Sequence, residues 1–225
     1  MLSREEYLAA WSRWHGGVDP GQNAMVGRWL TLVYAAARPL AGVPPLLVTG
    51  AGLLASAVAV LPARGGGAWL LLSAGLVFST GFLDSLDGAL AIGTGRASRR
   101  GFVLDSAVDR LTEAAYATAL WLAGAPGWLA AAFGALCWLP DYLRARAGQA
   151  GVGETGALSV WERPTRVLLA GFTFAGAAVV SAAVRPALVV TVGTAAGAVL
   201  GLVGTVQVGL ALRRALGEES GVRGP

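Results

Sequence analysis

Charge is scarce in this chain, and lysine is missing from it altogether. Only 13% of the 225 residues are charged, and all 17 basic residues are arginine. Soluble domains carry about 25%, so this composition fits a membrane protein. A single cysteine, Cys137, excludes an intramolecular disulfide and says little about redox compartment. The net charge is +4 and the sequence pI about 10.0, but the arginines sit at the ends of apolar stretches. That is the pattern of basic cytoplasmic loops, and no nucleic-acid partner is expected. The first forty residues hold Arg4, Glu5, Glu6, Arg13, Asp19, Arg28 and Arg38 with no early apolar core, so no cleavable signal peptide is expected. There is no internal repeat and no low-complexity linker.

What is present is apolar and small-residue-rich. Hydrophobic residues make up 55%, glycine occurs 33 times, and mean hydropathy is +0.62. Such Gly/Ala-rich runs suit helices packed closely in lipid. The expected fold is an all-α integral membrane protein. Six transmembrane helices follow N-terminal interfacial amphipathic helices. Ser3 and Glu6 form a capping box for a first helix over 3–14, with Trp11 and Trp14 at the interface. Gly16, Gly17, Asp19, Pro20 and Gly21 break it, and 23–40 reads as a second amphipathic helix. Apolar spans follow at 43–62, 67–92, 101–124, 126–147, 164–184 and 187–212, each near the ~20 residues that cross a bilayer. The organisation is therefore 1–42 interfacial helices, 43–212 membrane domain and 213–225 a short tail. Arginines flanking successive spans alternate 4, 1, 3, 0, 4, 1, 3, which puts both termini in the cytoplasm. The expected location is the plasma membrane. Cys137 and the tryptophans read as packing or interface residues, and His15 as an exposed loop residue.

Four acids interrupt this apolar pattern. Asp84 and Asp87 are i, i+3; Asp105 and Asp109 are i, i+4. Each pair projects from one face of its own helix. A charged residue inside a span costs roughly 2.5–3.5 kcal/mol on insertion scales, so four of them need cations. Asp87 lies roughly 7.5 Å from the cytoplasmic end of span two, and Asp105 and Asp109 about 6 and 12 Å into span three. Both pairs meet at similar depth just below the cytoplasmic surface. Clustered carboxylates are hard ligands suited to Mg²⁺ or Mn²⁺. Arg110 and Glu113 beside them are expected to pair with neighbours.

The run Asp84-Ser-Leu-Asp87-Gly88-Ala-Leu-Ala91, then Ile92, eight residues and Gly101-Phe-Val-Leu-Asp105-Ser-Ala-Val-Asp109, resembles the signature of the CDP-alcohol phosphotransferase (phosphatidyltransferase) family. Pro45 and Thr49 resemble the start of its first helix. Asp141-Tyr-Leu-Arg144-Ala-Arg146 and Glu162-Arg163 resemble its runs around the fourth and fifth helices. The resemblance covers about residues 24–212. It implies transfer of a phosphatidyl group from a CDP-linked lipid, CDP-diacylglycerol by expectation, to an alcohol, with release of CMP in phospholipid synthesis. It implies a two-metal site held by Asp84, Asp87, Asp105 and Asp109, with Asp109 also the general base. Donor contacts fall to Thr49, Asp87, Gly88, Ala91, Arg96 and Gly101, and acceptor contacts to Asp141, Arg144, Arg146 and Arg163. Gly88 and Ala91 would leave room for the nucleotide, and Gly101 would let span three start close to span two. Retained Arg144 and Arg146 lean toward a phosphorylated polyol, and members are commonly homodimers.

Two positions depart from the signature. Ile92 stands where the family has arginine, and Asp141 where it commonly has serine. If the helix continues past Ile92, Arg96 falls on the same face at i+4 and could replace the lost arginine. An acid at 141 would repel a phosphate unless an arginine pairs with it. Two rival readings stand beside the transferase: a non-catalytic relative that binds CDP-lipid, supported by Ile92, and a transporter with an aspartate-lined cation path. Against the latter, the acids stop near one side of the membrane and spans five and six carry almost none.

Overall fold

A computed structural model describes residues 1–15, 17–152 and 158–222, with side chains to Gly217. Gly16, read above as part of a helix break, and Arg223, counted in the tail, lie outside the described residues. Every regular element among those described is helical: α1 Arg4–Trp14, α2 Ala24–Ala37, α3 Pro45–Gly65, α4 Trp69–Gly93, α5 Arg99–Leu122, α6 Gly127–Gln149, α7 Arg163–Val179 and α8 Pro186–Val222, with single 3-10 turns at Pro20–Gln22 and Arg38–Leu40.

Local chemistry sets the helix ends. The capping box forms: Glu6 N–H donates to Ser3 Oγ at 3.3 Å, and Ser3 N–H to Glu6 Oε2 at 2.8 Å. Asn23 Oδ1 caps α2 by accepting from the Met25 and Val26 amides. Pro39 sits in the 3-10 turn that ends this segment, and Pro45 opens α3, where its missing N–H is harmless. Gly66 and Gly67 (φ +64° and +51°) turn the chain between α3 and α4. The expected span 164–184 is shorter in the structure. α7 stops at Val179, residues 180–184 form turns, and Pro186 begins the next helix. α8 instead runs on beyond 212 to Val222.

Two compact units arise. One comprises residues 1–57 and 78–112, the other 58–77 and 113–225. In the first, Tyr7 of α1, Leu30, Val33 and Ala37 of α2, and Val48 of α3 pack with Leu86, Ala89 and Leu90 of α4. Tyr34 OH donates to the Leu2 carbonyl at 2.8 Å, and Leu2 N–H to the Gly93 carbonyl at 2.7 Å. Burial pushes the Tyr7 phenol up to about 12, so it stays neutral in this core. Trp14, Met25, Trp29 and Leu32 keep an exposed apolar side on α1 and α2.

In the second unit, α8 packs along α6 and α7. Its glycines make that approach possible. A Cβ at Gly197 would lie 2.6 Å from the Phe133 ring and 2.7 Å from Leu169, and one at Gly204 2.5 Å from Trp161. Phe133 meets Trp161 edge to face at 5.6 Å, and both are fully buried. Cys137 is buried in α6, as a packing residue should be.

Among the described residues, three helices are long and apolar enough to cross a membrane: Pro45–Gly65, Trp69–Gly93 and the Pro186–Gly217 part of α8. They expose leucines and valines such as Leu47, Leu54, Leu61, Leu188, Val192 and Val199, the side chains a lipid-facing helix presents. The chain is an all-helical membrane protein.

Gly197→Leu should therefore overpack α8 and cost about 1–3 kcal/mol of stability. Gly209→Ala, where an added Cβ meets nothing within 4 Å, is the control. Thermal unfolding in detergent should show a clear drop for the first and no loss for the second.

Candidate metal centre

The end of α4 is clamped by residues interleaved with its acids. Leu86, Ala89 and Leu90 turn into the first core, which fixes the helix's rotation and leaves Asp84 on another face. Trp29 of α2 adds a lateral tie. Its Nε1 donates to Ser85 Oγ at 3.2 Å, and its ring meets Phe82 edge on. After Gly93 the chain leaves the helix. Gly95 has φ +68°, and Ser98 Oγ accepts from the Gly101 amide at 3.1 Å to start α5. α5 then presents Asp105 and Asp109 one turn apart.

The structure brings Asp84, Asp105 and Asp109 together: one oxygen from each lies within 4.8 Å of the others, and all three side chains are half-buried. A divalent ion held at about 2.1 Å requires oxygens no more than about 4.2 Å apart, which small side-chain rotations provide. Three like charges this close also call for a cation between them. Arg110 reaches Asp109 at 4.0 Å. The donor set therefore fits Mg²⁺ or Mn²⁺. Asp87, one turn beyond Asp84 and 6% exposed, lies outside the group of three.

The expected donor residues fare unevenly. An added Cβ at Gly88 meets nothing within 4 Å, so space does open there. Thr49 is buried, and its hydroxyl donates back to the Pro45 carbonyl of its own helix at 3.2 Å. A Cβ on Gly101 would meet only Ser98 Oγ, at 3.2 Å, so a close approach to span two is not what that glycine serves. The expectation for Arg96 is corrected. α4 ends before it, so Ile92 and Arg96 do not share a helical face. The Arg96 guanidinium instead donates to the Val43 and Ala41 carbonyls, at 2.9 and 2.7 Å, tying the start of α3 to the turn after α4. Ile92 packs against the core of α1, α2 and α4. Its departure from the signature thus has a packing reason, and an arginine there would press charge against apolar side chains.

In the second unit, two of the expected acceptor residues, Asp141 and Arg144, join a larger network. Arg144 holds Glu162 through both terminal nitrogens (3.1 and 2.6 Å) and Asp141 Oδ1 at 3.2 Å. Asp141 Oδ2 takes Arg166 at 2.8 Å, and Arg166 also holds Glu113 at 2.6 Å. Arg166 and Glu113 side chains are each 1% exposed. Arg166 Nε donates to the Trp161 carbonyl at 3.0 Å. Arg146 is exposed and donates to Gln149. Glu113 does pair with a neighbour, as expected. Arg166 had been read only as a flanking anchor, and its role was missed. The available signal was one acid, Glu113, inside an apolar span and one arginine just inside another, a pairing that lipid makes near-obligatory.

Glu162 also accepts from the Ser159 amide and hydroxyl, each at 2.8 Å. Burial alone would raise its carboxyl, but Arg144 and these two donors outweigh that and hold it below the ordinary value. Its contribution to stability is therefore full above the ordinary glutamate pKa and fades as pH falls through the lowered one.

Two helices converging oxygen ligands in an apolar, all-helical chain define a divalent-metal centre of a membrane protein. The comparisons give that class its family. Residues 42–203 match CDP-alcohol phosphatidyltransferase, and the chain belongs to that family. It is 39% identical over 98 residues to an archaetidylinositol phosphate synthase of Pyrococcus horikoshii, covering 43% of this chain and 52% of that one. It is 35% identical over 157 residues to a phosphatidylinositol phosphate synthase of Mycobacteroides abscessus, covering 65% and 70%. The match thus spans about half the length of the archaeal relative. Among solved structures, the Mycobacterium tuberculosis phosphatidylinositol phosphate synthase with CDP-DAG bound aligns with a TM-score of 0.64 at 27% identity, over 81% of this chain and 94% of that one. The same enzyme in complex with manganese and citrate aligns at 0.65, over 80% and 88%.

Each of Asp84→Asn, Asp105→Asn and Asp109→Asn should weaken Mn²⁺ binding by about ten- to a hundredfold, the loss of one charge-assisted contact of roughly 1.5–3 kcal/mol. Electron paramagnetic resonance titration of the purified protein measures this without any turnover. Unchanged affinity in all three variants would remove the metal centre.

Proposed function

We propose that this protein transfers a phosphatidyl group from a CDP-diacylglycerol-type lipid to an alcohol and releases CMP, a step of phospholipid synthesis. The observation that carries this reading is the convergence of Asp84, Asp105 and Asp109 from two helices at the signature positions. The acceptor oxygen forms a bond to the phosphorus that bears the diacylglycerol. The bond from that phosphorus to the CMP oxygen breaks, and the acceptor proton leaves. Two bound Mg²⁺ or Mn²⁺ ions supply charge neutralisation for the diphosphate and help align attacking and leaving oxygens. Asp84, Asp87 and Asp105 would hold metal, and Asp109 would complete the second metal site. Asp109 takes part in metal binding and accepts the acceptor's proton. The open side of Gly88, with Ala91 one turn away by spacing, leaves space for the nucleotide. Asp141, Arg144, Arg146 and Arg163 form the acceptor end.

The same reading gives six spans, α3 to α8, although three satisfy length and apolarity on their own. α5 and α6 carry the acids and arginines of the sites, and α7 is short. The exposed Trp14, Met25, Trp29 and Leu32 support a position of α1 and α2 at the lipid interface. The arginine alternation puts both termini and the metal centre on the cytoplasmic side of the plasma membrane. A homodimer is the proposed assembly. The acids gathered toward one side of the membrane speak against the transporter, and the CMP-release assay below separates a catalytic protein from a relative that only binds CDP-lipid.

Purified protein with CDP-diacylglycerol, Mn²⁺ or Mg²⁺ and a panel of alcohols should release CMP. Excess chelator, or Asn at any of the four aspartates, should abolish it in folded, membrane-inserted protein. Turnover that persists in chelator would defeat the mechanism. For the topology, a cysteine at Ser98 should label from the cytoplasmic side and one at Gly66 from the other. Labelling of Ser98 from outside would invert the arrangement.

A further inference from the structure

The acceptor end contains an alternating chain of charge: Glu113, Arg166, Asp141, Arg144, Glu162. Three carboxylates meet two guanidiniums, a formal charge of −1. The Arg166 end is fully buried, while Asp141, Arg144 and Glu162 side chains are 33%, 29% and 29% exposed. The exposed end is therefore the part that a soluble molecule can touch.

Arginine binds phosphate well when it offers its fork of N–H groups in parallel. Here the Arg144 fork already faces Glu162, with both terminal nitrogens on the two Oε atoms. That carboxylate is itself fixed by the Ser159 amide and hydroxyl. Asp141 joins the two arginines, one through each oxygen. A phosphate arriving at Arg144 would have to displace an anchored carboxylate while lying beside a second one. Like charges so juxtaposed cost several kcal/mol. Arg146, one of the two other arginines at this end, turns to Gln149. What Asp141 and Glu162 do offer is carboxylate oxygen at a partly open surface, which accepts from hydroxyl or ammonium groups.

We infer that Asp141 is a specificity-determining residue that commits Arg144 and Arg166 to internal pairing, so that the acceptor is an alcohol without a phosphate group, recognised through its hydroxyl or ammonium donors. This rests on the transferase reading and on the acceptor end proposed there. It reverses the lean toward a phosphorylated polyol. It also sets the chain apart from the inositol phosphate synthases it resembles. The discrimination works by exclusion, an acid set against the wrong ligand, as well as by attraction.

The test uses the full chain in detergent with CDP-diacylglycerol and Mn². Phosphorylated acceptors (sn-glycerol 3-phosphate, myo-inositol 1-phosphate) are compared with unphosphorylated ones (glycerol, myo-inositol, L-serine, ethanolamine). Wild type should release CMP with at least one unphosphorylated acceptor, at a kcat/KM about tenfold or more above either phosphate ester. Asp141→Ser should lower the apparent KM for a phosphate ester by about tenfold or more, leaving the KM for the CDP-lipid unmoved. Asp141→Asn keeps the side chain's shape and should move in the same direction, which guards against a serine variant that fails to fold. A second arm needs no turnover. Thermal shift with myo-inositol 1-phosphate and with inorganic phosphate should give no stabilisation of wild type and a saturable one in Asp141→Ser or Asp141→Asn. Preferential turnover of a phosphate ester by wild type, or saturable phosphate binding to it, overturns this inference and leaves the transferase reading standing. CMP release from no acceptor, with Mn² and CDP-lipid bound, sinks the transferase reading and this inference with it.

Discussion

A carboxylate in an apolar helix must be matched by positive charge, and the arrangement of both functional ends follows from that constraint. Glu113 shows one solution. It is 1% exposed, and Arg166, equally buried, meets it at 2.6 Å. Losing either partner would strand a charge where solvation cannot help, which typically costs 3–5 kcal/mol. Asp84, Asp105 and Asp109 show the other. Their oxygens crowd within 4.8 Å of one another. Mutual repulsion at that distance is relieved when a divalent ion binds, so the protein side of the site is built to take one.

Holding those oxygens in place is largely the work of the N-terminal helices. α1 and α2 pack into the unit that carries these acids. Tyr7, Leu30, Val33 and Ala37 bury against Leu86, Ala89 and Leu90, the residues interleaved with the acids on α4. Trp29 reaches Ser85, the neighbour of Asp84, while keeping much of its ring exposed. Leu2 and Arg96 secure the two ends of the turn region, one on the Gly93 carbonyl and the other on Ala41 and Val43. A site on packed helices with tied ends keeps its ligands close to productive geometry.

Much of this was legible beforehand, and for identifiable reasons. The capping box and the long apolar runs are local signals, and the helices they predict are present. The i, i+3 and i, i+4 acids needed only helical geometry and the cost of charge in lipid. The failures were tertiary. Nothing local distinguishes an Ile92 that replaces a binding arginine from one that packs in a core. The i+4 relation between Ile92 and Arg96 assumed a helix that ends at Gly93. α7 was drawn too long because residues 180–184 are apolar enough to continue a span. Arg166 was hidden for a similar reason: beside three other arginines it reads as an anchor until its partner is known.

The arginines of this chain thus divide by what surrounds them rather than by their position in a motif. Arg96 sits near the signature, yet its guanidinium holds backbone carbonyls. Arg144 matches a family position, yet a carboxylate that serine donors keep in place takes its fork. Arg166 carries the most demanding electrostatic task of those described, on a segment that sequence alone reads as topology. A guanidinium has five donors and always bears its charge, so its function is set by which acceptors reach it first. For Arg144 those acceptors are Glu162 and Asp141. Substituting serine with aspartate at 141 therefore does more than add one negative charge: it also redirects two positive ones.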